Sequence, residues 1–347
     1  MADKANGALL VGSVPLDSSE EVFETMSEQL GDRLKRIPDG ETGPRYIWIG
    51  WQLEVLKGVE GLEYVPPPPD AYTPQGTVRV KDGVDPKSIV FDNLGYADEA
   101  LKSWAIFKRK QDAGEIPAET RFQVSIPPPI AIASAYLQEN FDDVKDAYEA
   151  GIFNEVQRIV DGIPHDKLAI QWDVCVEVWW FEGWLPVPFS PVLEGIVEQL
   201  TRCANTVPEG VELGIHFCYG DYEHQHLREP EDIQACVTIF NGIAQSIKRN
   251  IDWAHFPVPI ERDDDKYFEP LKALADRPEC EIFIGLVHIR DGAEGAERRM
   301  ATAHKFVKEF GIATECGMGR RTEGRGGSKD ELIELLKIHA AVSDPVV

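Results

Sequence analysis

Eight short apolar runs alternating with helical periodicity constrain this chain more than any other feature. The strand-like runs are LLVGSVP (9–15), LKRIPDG (34–40), RFQVSIP (121–127), LAIQWDV (168–174), VELGIHFC (211–218), WAHFPVP (253–259), IFIGLVHI (282–289) and GIATECG (311–317). Amphipathic helices are predicted between or after them at 18–30, 142–160, 191–204, 230–249, 297–310 and 328–342. Strands that alternate with helices bury both sheet faces, and eight such units predict a single (β/α)8 barrel over residues 1–347. A doubly wound sheet is the other architecture with this alternation. Segment 58–95, with four prolines at 66–69, is too long for a simple loop and is expected to pack over one barrel end.

Barrel enzymes gather their chemistry at the C-terminal ends of the strands. Here those ends carry Ser13, Asp39 and Glu41, Ser125, Asp173, His216 and Cys218, Glu261, His288 and Arg290, and Cys316. Residues two apart in a strand share a face, so His216 and Cys218 can grip one ion. Cys316 adds a second thiolate, and an imidazole with two thiolates is a soft donor set suited to Zn2+. Three protein ligands leave a position for substrate. The formal charge of −25 opposes nucleic acid and anionic membranes as partners. No apolar stretch is long enough to span a bilayer, and no signal peptide is evident at the start. Six cysteines without a disulfide-scaffold rhythm fit a reducing, cytoplasmic setting.

Taken together, these motifs resemble the catalytic C-terminal barrel of cobalamin-independent methionine synthase, within the superfamily shared with uroporphyrinogen decarboxylase. GSVP (12–15), DGETGPR (39–45), QWD (171–173), HFCY (216–219), IGLVHIRDG (284–292) and ECGMGRR (315–321) match that family's segments in order. The resemblance implies zinc on His216, Cys218 and Cys316, and methyl or other alkyl transfer to a homocysteine-like thiol. It also implies that Ser13, Glu41 and Asp173 hold the amino-acid part of that thiol. The expected partners are therefore a small-molecule thiol and a methyl donor, with a homo-oligomer allowed and no nucleic acid or membrane.

Three departures qualify the resemblance. The family's additional N-terminal barrel is missing, so a folate donor does not follow. Pro259 stands where the family has a glutamate ligand, which leaves Glu261 or His255 to replace it. The segment after Asp173, VCVEVWWFEGW, trades an acid for aromatic bulk and suggests a larger or more apolar substrate. Trp179 in that segment is a candidate for stacking on a ligand. Arg45 either pairs an anionic substrate or neutralises Asp39 or Glu41. Ser125 is a further substrate-binding candidate, and His288 is a candidate acid for the leaving group. His224 and His226 read as solvated residues beside an acidic loop, and Asp263–Asp265 as a helix N-terminal charge cluster. Two alternatives stay open. One is a metal-independent decarboxylase or lyase gripping carboxylates with Arg45, Arg320 and Arg321; the other is a degenerate barrel that binds thiol or metal without turnover.

Overall fold

The computed structural model describes residues 4–69, 75–222, 225–319 and 327–346. Seven parallel strands form one curled sheet in chain order: β1 (Arg36–Pro38), β2 (Arg121–Ile126), β3 (Leu168–Val174), β4 (Glu212–Phe217), β5 (Trp253–Pro257), β6 (Glu281–Val287) and β7 (Gly311–Thr314). The gap between β7 and β1 is closed by the chain around residues 8–14. Ala8 bridges Ile312 in parallel, Leu9 N–H donates to the Ile312 carbonyl at 2.8 Å, and Val14 N–H donates to the Gly40 carbonyl at 2.8 Å. The result is an α/β barrel of the (β/α)8 type.

The first apolar run thus fills a strand's place without becoming a regular strand. Its carbonyls are taken by side chains: Gln123 Nε2 donates to the Leu10 and Val11 carbonyls (2.9 and 3.1 Å), and Gln171 Nε2 donates to Val11 (2.7 Å). The other seven runs coincide with the seven strands, β6 starting one residue earlier than its run, at Glu281.

Strand parity sorts the side chains. Along β4, Leu213, Ile215 and Phe217 point outward to the helices, whereas Gly214 and His216 point inward. Phe217 stacks on Phe256 of β5 with ring centroids 5.4 Å apart. Inside the barrel, Trp253 packs with Leu9, Val11, Ala169, Phe283 and Ala313. Trp253 fits because its register partner is Gly214; a Cβ there would lie 1.9 Å from the indole. Below it, the buried Arg36 guanidinium stacks over the indole at 4.3 Å and pairs with Glu212 and Glu281. The barrel bottom is therefore plugged by a neutralised cation, and its open chemistry lies at the other end.

The helices differ from the expected spans in informative places. Ser18 caps Ser19–Leu30, and Ser328 with Glu331 forms a capping box on Lys329–Val342. The segment expected at 230–249 is helical only over Gln234–Ser246; before it the chain bends, with the Pro230 and Glu231 carbonyls taken by Arg262. The helix expected at 297–310 runs earlier, over Gly292–Ala303. Tyr96–Asp112 is a further helix, burying Ala97, Ala100, Trp104 and Phe107 at helical spacing. Within 58–95, Leu62–Val65 and Thr77–Val80 form an antiparallel pair. Tyr136 donates to Gln75 (2.7 Å) and Val80 N–H donates to Asn140 (2.9 Å), fastening this excursion to the helical segment after β2.

Candidate metal centre and its cavity

Register brings three interior side chains to one level: Asp173 of β3 pairs with His216 of β4, which pairs with His255 of β5. Cys218 follows the end of β4, held by its N–H to the Val174 carbonyl (3.0 Å). Cys316 follows the end of β7, where Thr314 Oγ1 donates to the Cys316 carbonyl at 2.7 Å. The two sulfurs lie 3.3 Å apart, and His216 Nε2 is 3.8 Å from Cys316 Sγ. One donor atom from each of the three residues falls within 4.8 Å of the others, and all three residues are buried. Among the described residues no other group of three or more such donors is this close.

The chemistry of this set fits zinc. Two thiols at contact distance in a buried site gain little from each other when both are neutral. The Cys218 thiol is pushed well above its ordinary value by the neighbouring Cys175 thiol and by burial, while Cys316 pulls it down. A soft dication is the partner that makes such thiols thiolates. Cys175, two residues beyond Asp173 and of the same parity, is a site neighbour that the sequence reading did not single out.

Behind His216, its Nδ1 is 2.7 Å from His255 Nδ1, and His255 Nε2 is 3.1 Å from the Thr314 carbonyl. Burial holds the His255 imidazole down to about 3, against the carbonyls of Thr314 and Phe217. His255 is therefore not a fourth member of the cluster but stands behind one member of it.

A cavity of about 520 Å³ opens onto the cluster. Ser13, Glu41, Asp173 and Trp179 line it together with His216, Cys218 and Cys316. Another wall is built by Trp48 and Ile49 together with Pro66–Pro68 of the excursion. Gln171 Nε2 donates to Asp173 at 2.9 Å, and Trp179 Nε1 donates to the Tyr219 carbonyl at 2.8 Å. Ser13 sits against the Cys316 loop: its carbonyl accepts from Met318 N–H (2.7 Å), and a Cβ at Gly317 would meet its hydroxyl at 2.3 Å. Glu41 adopts φ of 48°, a left-handed conformation that costs a non-glycine residue about 1 kcal/mol or more. In that conformation its carboxylate lies against Gly12, which the Ser125 hydroxyl also approaches.

Other expected site residues lie elsewhere. Arg45 is committed to Asp39 (2.8 and 3.3 Å), which also accepts from Ser103 (2.7 Å), so Arg45 does not line the large cavity. Ser125 Oγ donates to the Val11 carbonyl at 3.1 Å. Glu261 does not join the cluster: β5 ends at Pro257, and Glu261 lies in the turn beyond, exposed and 3.3 Å from Arg290. His288 contacts the Val258 carbonyl (2.9 Å) and lines a second cavity of about 380 Å³ with Glu261 and Arg290. His226 also lines that cavity and is largely buried rather than solvated. Burial opposes its charge, but Glu315 and Glu229, each 3.0 Å away, raise its pKa to about 11. Asp264 caps the short helix Asp265–Phe268. His224, Arg320 and Arg321 lie outside the described residues.

Fold and site thus define a parallel α/β barrel whose C-terminal mouth holds a buried His-Cys-Cys cluster beside a large cavity. One solved structure of similar fold is a B12-independent methionine synthase from Shewanella sp. W3-18-1, in complex with selenomethionine. It is 15% identical, with a TM-score of 0.62, and the match covers 98% of each chain. No protein-family model and no curated protein matches the chain. Among the described residues no helix is long and apolar enough to cross a membrane.

Proposed function

We propose that this protein is a zinc-dependent methyl- or other alkyltransferase whose acceptor is a small, homocysteine-like thiol. The observation that carries this reading is the convergence of His216, Cys218 and Cys316 on the wall of a cavity that also presents Glu41 and Asp173. Zinc bound to this set supplies a soft Lewis acid that lowers the pKa of a substrate thiol, so that a nucleophilic sulfur persists at neutral pH. The two carboxylates are suited to hold an ammonium group on the thiol substrate, with Ser13 beside them. Trp179, fixed by its bond to Tyr219, and the excursion's apolar residues exclude water and leave room for a second, larger reactant. His288 faces the second cavity, so the leaving group's acid is not assigned to it.

The fold likeness to a methionine synthase supports the barrel on which this reading rests. The lyase alternative drew on Arg45, and the bidentate pairing of Arg45 with Asp39 speaks against it. The test is a mass-spectrometric search for S-methylated product. Zinc-loaded protein is incubated with homocysteine and, separately, 5-methyltetrahydrofolate, methylcobalamin or S-methylmethionine. Methionine formed with one donor, and lost in Cys218→Ala, is the expected result. Absence of transfer with every donor and thiol tried, in protein that holds zinc, would leave a binding barrel instead.

A further inference from the structure

His255 is fully buried, lies level with His216 on the next strand, and has no part in the chemistry described above. Its hydrogen bonds nevertheless decide which atom His216 can offer. A neutral imidazole has one N–H and one bare nitrogen. A carbonyl can only accept. Of the two carbonyls that face this ring, Thr314 and Phe217, it is Thr314 O that lies in hydrogen-bonding geometry, 3.1 Å from Nε2, which puts the His255 proton on Nε2. His255 Nδ1 is then bare, and the 2.7 Å contact between the two Nδ1 atoms requires the proton of His216 on its Nδ1. That leaves His216 Nε2 with its lone pair, and Nε2 is the atom that lies 3.8 Å from Cys316 Sγ. The opposite tautomers would set a lone pair of His255 against the Thr314 carbonyl in a site closed to water, an uncompensated polar contact.

Thr314 ties the arrangement to the second thiol. Its carbonyl fixes His255 while its hydroxyl donates to the Cys316 carbonyl. One residue of β7 thus sets both the cysteine and, through His255, the histidine. We infer that His255 is a positioning residue that locks His216 in the tautomer and orientation needed to ligate metal through Nε2, with Thr314 as its anchor. This inference rests on the metal-centre reading above. Outer partners of this kind typically change metal affinity by about 10- to 100-fold when removed.

The test uses the full chain and two readouts. In metal-free, 15N-histidine-labelled wild type, long-range proton–nitrogen NMR spectra should show His216 protonated at Nδ1 and bare at Nε2. Competition with a chromogenic chelator should show zinc affinity falling about 10- to 100-fold in His255→Leu, which offers no acceptor. His255→Asn places a carbonyl oxygen near the Nδ1 position and should stay within about tenfold of wild type. His216 protonated at Nε2 in the wild type overturns the inference, as does a folded His255→Leu that binds zinc as tightly as wild type. The tautomer is read without any variant, so a His255→Leu chain that fails to fold still leaves the inference refutable. Wild type that takes up no zinc overturns the metal reading and this inference together; zinc-binding wild type with an indifferent His255→Leu overturns the inference alone.

Discussion

Glu177 gives a quantitative prediction outside the metal cluster. It sits on the helix Val176–Phe181 directly after the Asp173 strand, and it is fully buried. Its hydrogen-bonding side-chain partner among the described residues is Gln199, whose Nε2 donates at 2.8 Å. Glu177 Oε2 and Gln199 Oε1 are both buried and have no hydrogen-bond partner among the described residues. Burial raises the carboxyl from its ordinary 4.5 to about 7, against the hydrogen bonds it accepts from Gln199 and from the backbone of Glu177 and Cys175. A carboxyl whose folded pKa lies above its unfolded value contributes stability in full below about 4.5 and loses it as pH rises through about 7. The difference corresponds to about 3 kcal/mol above neutral pH and about 1 kcal/mol at about pH 5. Glu177→Gln keeps the shape and cannot ionise. Urea unfolding of both chains across about pH 5 to 8 should therefore show Glu177→Gln gaining on wild type by about 2–3 kcal/mol. Parallel stability–pH curves would refute the reasoning, because Glu177 would then ionise equally in both states.

Other perturbations test other parts of the structure. Gly214→Ala drives a methyl into the Trp253 ring, which is locked between Arg36 and the barrel interior; chemical denaturation should show a loss of about 1–3 kcal/mol. Glu41→Gly relieves the left-handed backbone strain and should raise stability by up to about 1 kcal/mol while weakening calorimetric binding of an aminothiol. A gain in stability without loss of binding would remove Glu41 from the site. His226, raised to about 11 by its two glutamates, contributes stability in full below about 6.5 and loses it as pH climbs through about 11. Its ring NMR shifts should still be those of an imidazolium at about pH 8.5, and a titration near 6.5 would contradict the ion-pair geometry.

The barrel could be read from strand periodicity because parallel strands buried on both faces appear as compact apolar runs. Residues 8–14 escaped that reading: whether Gln123 and Gln171 bond to their carbonyls depends on partners more than 100 residues away. At the site, the parity of His216 and Cys218 was visible locally, whereas their meeting with Cys316 needs the barrel to close. His255 carried a signal in its matching parity, but parity cannot separate a ligand from the residue behind one. Arg45 and Asp39 lie six residues apart, yet their pairing depends on a turn that aims both away from the large cavity. Glu261 fell short because β5 stops at Pro257, before the chain could carry a carboxylate back to the cluster. The helix Tyr96–Asp112 had readable apolar spacing, obscured by the irregular, proline-rich stretch before it.

Elemental analysis of purified wild type beside Cys316→Ala decides whether the barrel mouth holds a metal. Close to one zinc per wild-type chain and a marked loss in the variant, with both chains folded, is the expected result. A folded wild type that holds no zinc after metal-replete purification would contradict it, and thiol alkylation at this barrel mouth would fall with it.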